Sequence, residues 1–151
     1  MKNNAFTIIE LLIVIALIGV MASLMIFAIN PGTQLAKARD VERETHLYGI
    51  LSSIYQYQAE HSGALPDTDG DPDTSNFPTT ATCVGSSGGC FDLANAGEVD
   101  AKIVPVYMAA LPQDPKTGNA GNTGYTLFVD ANNRLVASAS GEIKGAITIT
   151  R

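Results

Sequence analysis

Four aspartates at alternate positions form the densest group of metal-ligating side chains in the sequence. They are Asp67, Asp69, Asp71 and Asp73. Like charges this close repel one another, and a hard cation such as Ca²⁺, which takes about 6–8 oxygen ligands, would offset the repulsion. An EF-hand loop carries a central glycine and a final glutamate at positions where this stretch has neither. A possible calcium site and a solvated acidic loop are therefore both open interpretations, and no other cofactor is required.

Two cysteines, Cys83 and Cys90, enclose a loop rich in Gly and Ser. Zinc ligands more often come in closely spaced pairs with a second pair or histidines, and the C-x-x-C redox motif is absent. If this part of the chain lies outside the membrane, we expect the two cysteines to form a disulfide within one chain.

The sequence holds no catalytic pattern. His46 and His61 lie about four turns apart on a predicted helix, too far to share a ligand, so we interpret both as surface or boundary residues. No nucleophile elbow, phosphate-binding loop or paired metal motif occurs. We therefore expect a protein that is not an enzyme.

The chain is acidic, with 9 Lys and Arg against 15 Asp and Glu and a net charge of −6. A surface that binds nucleic acid needs a positive footprint to displace counterions. We therefore do not expect nucleic acid as a direct ligand.

One carboxylate, Glu10, stands at the start of an apolar run from Leu11 to Ile29. The run is long enough to cross a bilayer, which needs about 20 apolar residues as a helix. A charge in such a span is costly and usually marks function. A cleavable secretory signal has a shorter apolar region followed by a small-residue cleavage site, which residues 28–31 match poorly. A plain signal anchor fits the length but gives no reason for Glu10.

The stretch from Lys2 to Ala16, Lys-Asn-Asn-Ala-Phe-Thr-Ile-Ile-Glu-Leu-Leu-Ile-Val-Ile-Ala, resembles the class III signal of type IV pilins and the related pseudopilins. The resemblance implies cleavage between Ala5 and Phe6 by a prepilin peptidase, which also methylates the new amino group of Phe6. It implies that Glu10 pairs with the positive N-terminus of a neighbouring subunit. Ala5 replaces the family's usual Gly, so we expect slower cleavage.

Three segments follow from this reading: a leader over 1–5, a transmembrane and filament-core helix over 6–29, and a globular head over 30–151. The helical pattern runs from Phe6 to His61, and Asn30-Pro31-Gly32 predicts a kink or a melted stretch within it. In its second half, apolar residues recur at helical spacing and are expected to face a core. These are Leu47, Ile50, Leu51, Ile54 and Tyr57.

A mixed-charge stretch begins the second half of the helix. It contains three pairs at i,i+3 spacing, each stabilising an isolated helix by a few tenths of a kcal/mol. The pairs are Lys37–Asp40, Arg39–Glu42 and Asp40–Arg43. We interpret this stretch as a solvated face.

The C-terminal part predicts a small antiparallel sheet. Residues 125–129, 135–139 and 146–150 read as three strands separated by turns. Residues 64–97 read as polar loop, 105–111 as a short helix, and Leu111-Pro112-Gln113-Asp114-Pro115 resembles a turn that precedes the sheet in the pilin family. The expected fold class is α+β: a long N-terminal helix forms the spine for about three strands, with the disulfide in the polar loop.

The leading interpretation is a structural pilin subunit, which starts as a single-pass precursor in the cytoplasmic membrane and assembles into a surface filament of identical copies. The implied partners are the lipid bilayer before assembly, the prepilin peptidase and a membrane assembly platform. Two alternatives stay open: a type II secretion pseudopilin that forms a secretion piston, and a membrane-anchored extracellular binding domain that does not polymerise.

Overall fold

A computed structural model describes residues 6–69 and 75–151 of the chain. Contacts divide the chain into two compact units, the first reaching Ala36 and the second spanning Lys37–Arg151. The described elements are α1 (Ile8–Ile29), α2 (Pro31–Glu60), β1 (Thr82–Cys83), a π-helical turn (Ile103–Tyr107), β2 (Tyr125–Val129), β3 (Leu135–Ser140) and β4 (Ala146–Thr150).

The helical pattern is interrupted at a single residue. Asn30 is left-handed (φ 46°, ψ 81°) and ends α1, and Pro31 then opens α2. Proline suits the first helical position because its missing N–H needs no partner there. The Asn30 carbonyl accepts hydrogen bonds from the N–H groups of Thr33 and Gln34, at 3.1 and 3.3 Å, so the start of α2 is capped. The predicted interruption is therefore confined to one residue, Asn30, and the chain between α1 and α2 contains no melted stretch.

The second unit packs α2 against a four-stranded antiparallel sheet of order β1-β2-β3-β4. The five predicted core residues of α2 are all buried, each at most 4% exposed. They pack with side chains from β2, β3 and β4 that alternate along the strands, as half-buried antiparallel strands do. The sheet side chains of this core are Tyr125, Leu127, Leu135, Ala137, Ala139, Ile147 and Ile149.

The α+β layout, with a long N-terminal helix before a small antiparallel sheet, is confirmed, and the sheet has four strands instead of three. The added strand, β1, pairs only two residues with β2, Thr82 with Leu127 and Cys83 with Thr126. The predicted helix over 105–111 is wrong. A single π-helical turn, Ile103–Tyr107, stands there, and it contains extended backbone at Val104 (φ −109°, ψ 127°). A residue before proline is pushed towards such extended conformations.

Candidate functional site

The N-terminus of α1 is organised around Glu10. Thr7 is the N-cap residue, with extended backbone, and its hydroxyl accepts a hydrogen bond from the Glu10 N–H at 3.3 Å. The Glu10 carboxylate accepts in return from the Thr7 N–H at 2.9 Å and from the Thr7 hydroxyl at 2.8 Å. This reciprocal capping box satisfies backbone donors that a helix start leaves open, and it places a negative charge at the positive end of the helix dipole.

The capping box leaves the carboxylate exposed in a single chain. Both hydrogen bonds from Thr7 go to Oε2 of Glu10, so Oε1 is not engaged by them. Phe6, one residue before the cap, is also exposed. A cation carried by a second molecule can therefore reach this carboxylate without breaking the cap. Ala5, the other predicted processing residue, lies outside the described residues.

The surface of α1 over Ile8–Ile26 is apolar and exposed. Its segment Ile8–Ile26 has a mean hydropathy of 2.7 and none of it is buried, so the helix is long and apolar enough to cross a membrane. Ser23 donates its hydroxyl proton to the Val20 carbonyl at 2.8 Å, which satisfies that polar group within the helix. An exposed apolar surface of this size is typical of a membrane or protein interaction site.

The second unit contains a buried ion network that the sequence did not predict. Its centre is Arg43, whose guanidinium donates to Asp40 at 2.8 Å, to Glu142 at 3.2 Å and through two nitrogens to Asp114. Arg43, Asp40 and Asp114 are all buried. Arg39 adds a bidentate pair to Glu142, at 2.6 and 2.9 Å. The network joins α2 to the loop before β2 and to the β3–β4 hairpin.

Backbone groups complete the network. Asp40 accepts hydrogen bonds from the N–H groups of Glu142, Ile143 and Lys144, at 2.7, 2.8 and 3.0 Å. These bonds, followed by the Arg43 bond, hold the pKa of Asp40 well below its usual range despite burial. One carboxylate of the helix thus binds three backbone groups of the hairpin, in addition to the bonds from Arg39 and Arg43 to Glu142.

The other two carboxylates of the network also stay ionised. Burial alone would raise the pKa of Asp114, but the Arg43 bond and the N–H groups of Lys116 and Thr117 hold it well below the usual range. Hydrogen bonds from Arg39 and Lys116 lower the pKa of Glu142 to about 2. The network is therefore fully charged at neutral pH.

The mixed-charge stretch of α2 is therefore not the solvated face that its spacing suggested. Of the three predicted i,i+3 pairs, the ion pair found in the described residues is Asp40–Arg43. Arg39 pairs with Glu142 across the fold instead of with Glu42. The sequence signal that pointed to Asp114 was the stretch Leu111–Pro115, which resembles a turn of the pilin family.

Cys83 and Cys90 form a disulfide, as predicted. The loop that it closes contacts the segment before β2, where Ser86 N–H bonds to Ala120 and Ser87 N–H to Gly121, at 3.1 and 2.9 Å. The exposed Gly/Ser loop is thereby fixed to the sheet region.

The calcium prediction stays a prediction. Asp71 and Asp73 lie outside the described residues, while Asp67 and Asp69 are described. Over residues 6–69 and 75–151, no group of three or more His, Cys, Asp or Glu is placed to hold a metal ion. The two histidines are not brought together: His46 Nδ1 lies 2.8 Å from the Tyr125 hydroxyl, and His61 stacks on Tyr57 with ring centres 4.0 Å apart.

An exposed apolar helix that is capped at Thr7 and carries Glu10 in its first turn fits a membrane-anchored precursor. Residues 1–29 match the family described as the prokaryotic N-terminal methylation motif, the class III signal of type IV pilins and pseudopilins. This chain therefore carries that motif, which supports a pilin-like or pseudopilin subunit. No curated protein and no solved structure matches the chain in the same comparisons.

Proposed function

We propose that this protein is a structural, non-enzymatic subunit of a type IV pilus-like surface filament. The observation that carries the proposal is the methylation motif over residues 1–29 on a helix whose apolar segment Ile8–Ile26 is entirely exposed. A membrane can cover that surface in the precursor, and the helices of other copies can cover it in a filament. The proposed partners are the bilayer, the prepilin peptidase, the assembly platform and further copies of this chain.

Glu10 has two roles in this proposal. Within one chain it caps α1. Between chains, its carboxylate would pair with the methylated amino group of Phe6 on a neighbour, and a buried charge pair of this kind fixes register more than it adds net stability. The N-terminal motif is shared with secretion pseudopilins, which remain the second candidate. The exposed, disulfide-closed loop favours the surface filament, where such a feature is accessible.

The proposal is tested by intact-mass measurement of the protein in filaments sheared from cells. The expected mass corresponds to a chain that begins at Phe6 and carries one methyl group. A chain that begins at Met1, or one cut after Ala28, would contradict the proposal. Recovery of the processed chain only in cell envelopes, with export of folded proteins lost on its deletion, would favour the pseudopilin.

A further inference from the structure

Helix α2 carries a second regular pattern, on the side opposite its buried core residues. From Ala38 to Ala59, residues on that side recur at alternating spacings of three and four, which is the a and d spacing of a coiled coil. All of them are uncharged, and all are exposed except the half-buried Tyr55. They are Ala38, Val41, Thr45, Tyr48, Ser52, Tyr55 and Ala59, here called the α2 seam.

The absence of charge from the α2 seam does not reflect a helix poor in charge. Residues 37–44 of α2 include six charged side chains, and every one of them lies beside the seam or on the core side. The exposed face of a helix on a core is ordinarily its charged face. The hydroxyl of Thr45 also donates to the Val41 carbonyl at 3.0 Å, so it needs no partner from solvent. The seam therefore has the character of a face that packs against another helix.

The ion network decides which charges beside the seam are free. Arg39 and Asp40 are engaged in the network, so neither pairs with its local partner at i,i+3 spacing. Those local partners would have been Glu42 and Lys37. Within residues 6–69 and 75–151, no ion pair joins Lys37 to another side chain, and the ion contact of Glu42 is one of 3.9 Å with His46 Nε2. One cation and one carboxylate beside the seam are thus left for another molecule.

Lys37 and Glu42 flank the seam on its two sides, at the g and e positions of the heptad. In a parallel pair of helices, a g residue faces the e residue five positions further on in the partner, and Lys37 and Glu42 have that spacing. Two copies of the seam therefore complement each other in charge. An antiparallel pair would bring g residues together, and the next g residue, Glu44, is already bound by Lys144 at 2.7 Å.

The same charges distinguish between possible occupants. The exposed apolar segment Ile8–Ile26 of α1 contains a single charged residue, Glu10, so α1 of another copy would leave one of the two flanking charges unmatched. A second α2 seam matches both. The partner that fits the seam is therefore the seam of another copy.

We propose that two membrane-anchored copies pair through their α2 seams, as parallel helices with Lys37 of each copy opposite Glu42 of the other. The contact is isologous, because the same surface is used on both sides. Copies anchored in one membrane by their N-terminal ends present α2 with the same polarity, which suits a parallel pair. The inference goes beyond the proposed filament, since such a pair needs anchoring but no polymer.

The test uses the full chain in its membrane, with Thr45→Cys and Ser52→Cys introduced one at a time. The natural cysteines are joined within one chain, so the introduced thiol is the free one. In a parallel two-fold pair each seam residue faces its own copy, and a disulfide requires Cα atoms within about 7 Å. Both variants are therefore expected to give a dimer on a non-reducing gel after mild oxidation. An antiparallel pair would link at most one of the two positions to itself.

Gln56→Cys is the matched control. Gln56 is exposed and uncharged like Ser52, and it lies one turn further along α2 but beside the seam. In the proposed pair the two copies of this e position lie on opposite sides of the contact, so they are expected to give little dimer.

Charge reversal supplies the second arm, in the Ser52→Cys background. Lys37→Glu and Glu42→Lys are each expected to lower the dimer yield several-fold, because like charges then face each other across the pair. Combining the two is expected to restore the yield. Lys37→Glu with Glu98→Lys has the same net charge, but Glu98 lies near His61 beyond the end of the seam, so this combination is expected not to restore it.

The outcomes separate this pair from the filament, which is scored in the same cells by electron microscopy. Equal dimer yields from Ser52→Cys and Gln56→Cys, a dimer from one seam position alone, or equal restoration by Glu42→Lys and Glu98→Lys would each overturn the parallel pair. Filaments without dimers would overturn the pair and leave the proposed function standing. Dimers without filaments would support the pair and contradict the proposed function.

Discussion

Arg43 donates to both carboxylate oxygens of Asp114, a residue 71 positions later in the chain, and both side chains are buried. This pair fixes the loop before β2 against α2. The same guanidinium also reaches Asp40 and Glu142, so three distant segments meet at one cation. Ion pairs therefore join α2 to the loop before β2 and to the β3–β4 hairpin, while the apolar core joins α2 to the sheet.

Asp114→Ala is expected to lower the free energy of unfolding by about 1–3 kcal/mol, because buried donors of Arg43 lose their acceptor although the guanidinium stays paired with Asp40 and Glu142. Chemical denaturation of the full-length protein in detergent, followed by near-ultraviolet circular dichroism, measures the change. Arg134→Ala is the control, since it removes an exposed pair with Asp130, at 2.7 Å. Its effect is expected to be much smaller. Equal losses for both variants would contradict the role assigned to the network.

The stability of the globular unit is expected to fall in acid. Glu142 has a pKa of about 2 in the fold against an ordinary value of 4.5. A depressed pKa gives stability that is fully present above the ordinary value and is lost as the pH falls through the folded value. The melting temperature, measured from neutral pH down to pH 2, is therefore expected to begin to fall at about pH 4.5.

Glu142→Gln tests this assignment. The variant is expected to be less stable at neutral pH, and its melting temperature is expected to depend less on pH across the same acid window. A variant with an unchanged acid profile would show that Glu142 does not contribute to the pH dependence.

Two substitutions separate the roles of Glu10. Glu10→Gln keeps an oxygen that can accept from the Thr7 N–H, so the cap is retained and only the charge is lost. Glu10→Val removes both. If pairing with a neighbour's N-terminus drives assembly, both variants are expected to insert in the membrane and fail to form filaments. Filaments built by Glu10→Gln alone, counted by electron microscopy, would show that the cap suffices.

Replacing both Cys83 and Cys90 by Ser is expected to lower the free energy of unfolding by roughly 2–3 kcal/mol, because the short loop gains freedom in the unfolded chain. Denaturation with and without reductant measures the effect. The reductant is expected to destabilise the natural chain by the same amount and to leave the double variant unchanged. Insensitivity of the natural chain to reductant would contradict the prediction.

Much of the fold follows from local patterns. The strands at 125–129 and 146–150 agree with the sequence-based prediction, because apolar and polar residues alternate between turn residues. The core face of α2 was predicted by helical spacing for the same reason. Strand β1 was missed because two residues carry no periodicity, and its pairing depends on β2, which follows far along the chain.

In the candidate site, too, features formed by residues close in sequence differ in predictability from features formed by distant residues. The disulfide could be predicted because it joins two cysteines close in sequence. The capping box of Thr7 and Glu10 was missed although the two residues stand three apart, and the pairing of Glu10 with a neighbouring chain stays a prediction. The ion network could not be predicted, because its partners lie up to 104 residues apart, as for Asp40 and the Lys144 N–H. Charges at i,i+3 spacing favour local pairing only when no better partner is present, and here Glu142 and Asp114 are the better partners.

The partners of the network become available in a fixed order during translation. Glu142 follows Arg43 by 99 residues. At translation rates of about 5–20 residues per second, Arg43 waits roughly 5–20 s for its last carboxylate. During that interval Arg43 lacks Glu142 as a partner, and strand β4, which follows Glu142, is not yet available to pair with β3. The ion network is thus completed late in synthesis, after the residues of the C-terminal hairpin have been translated.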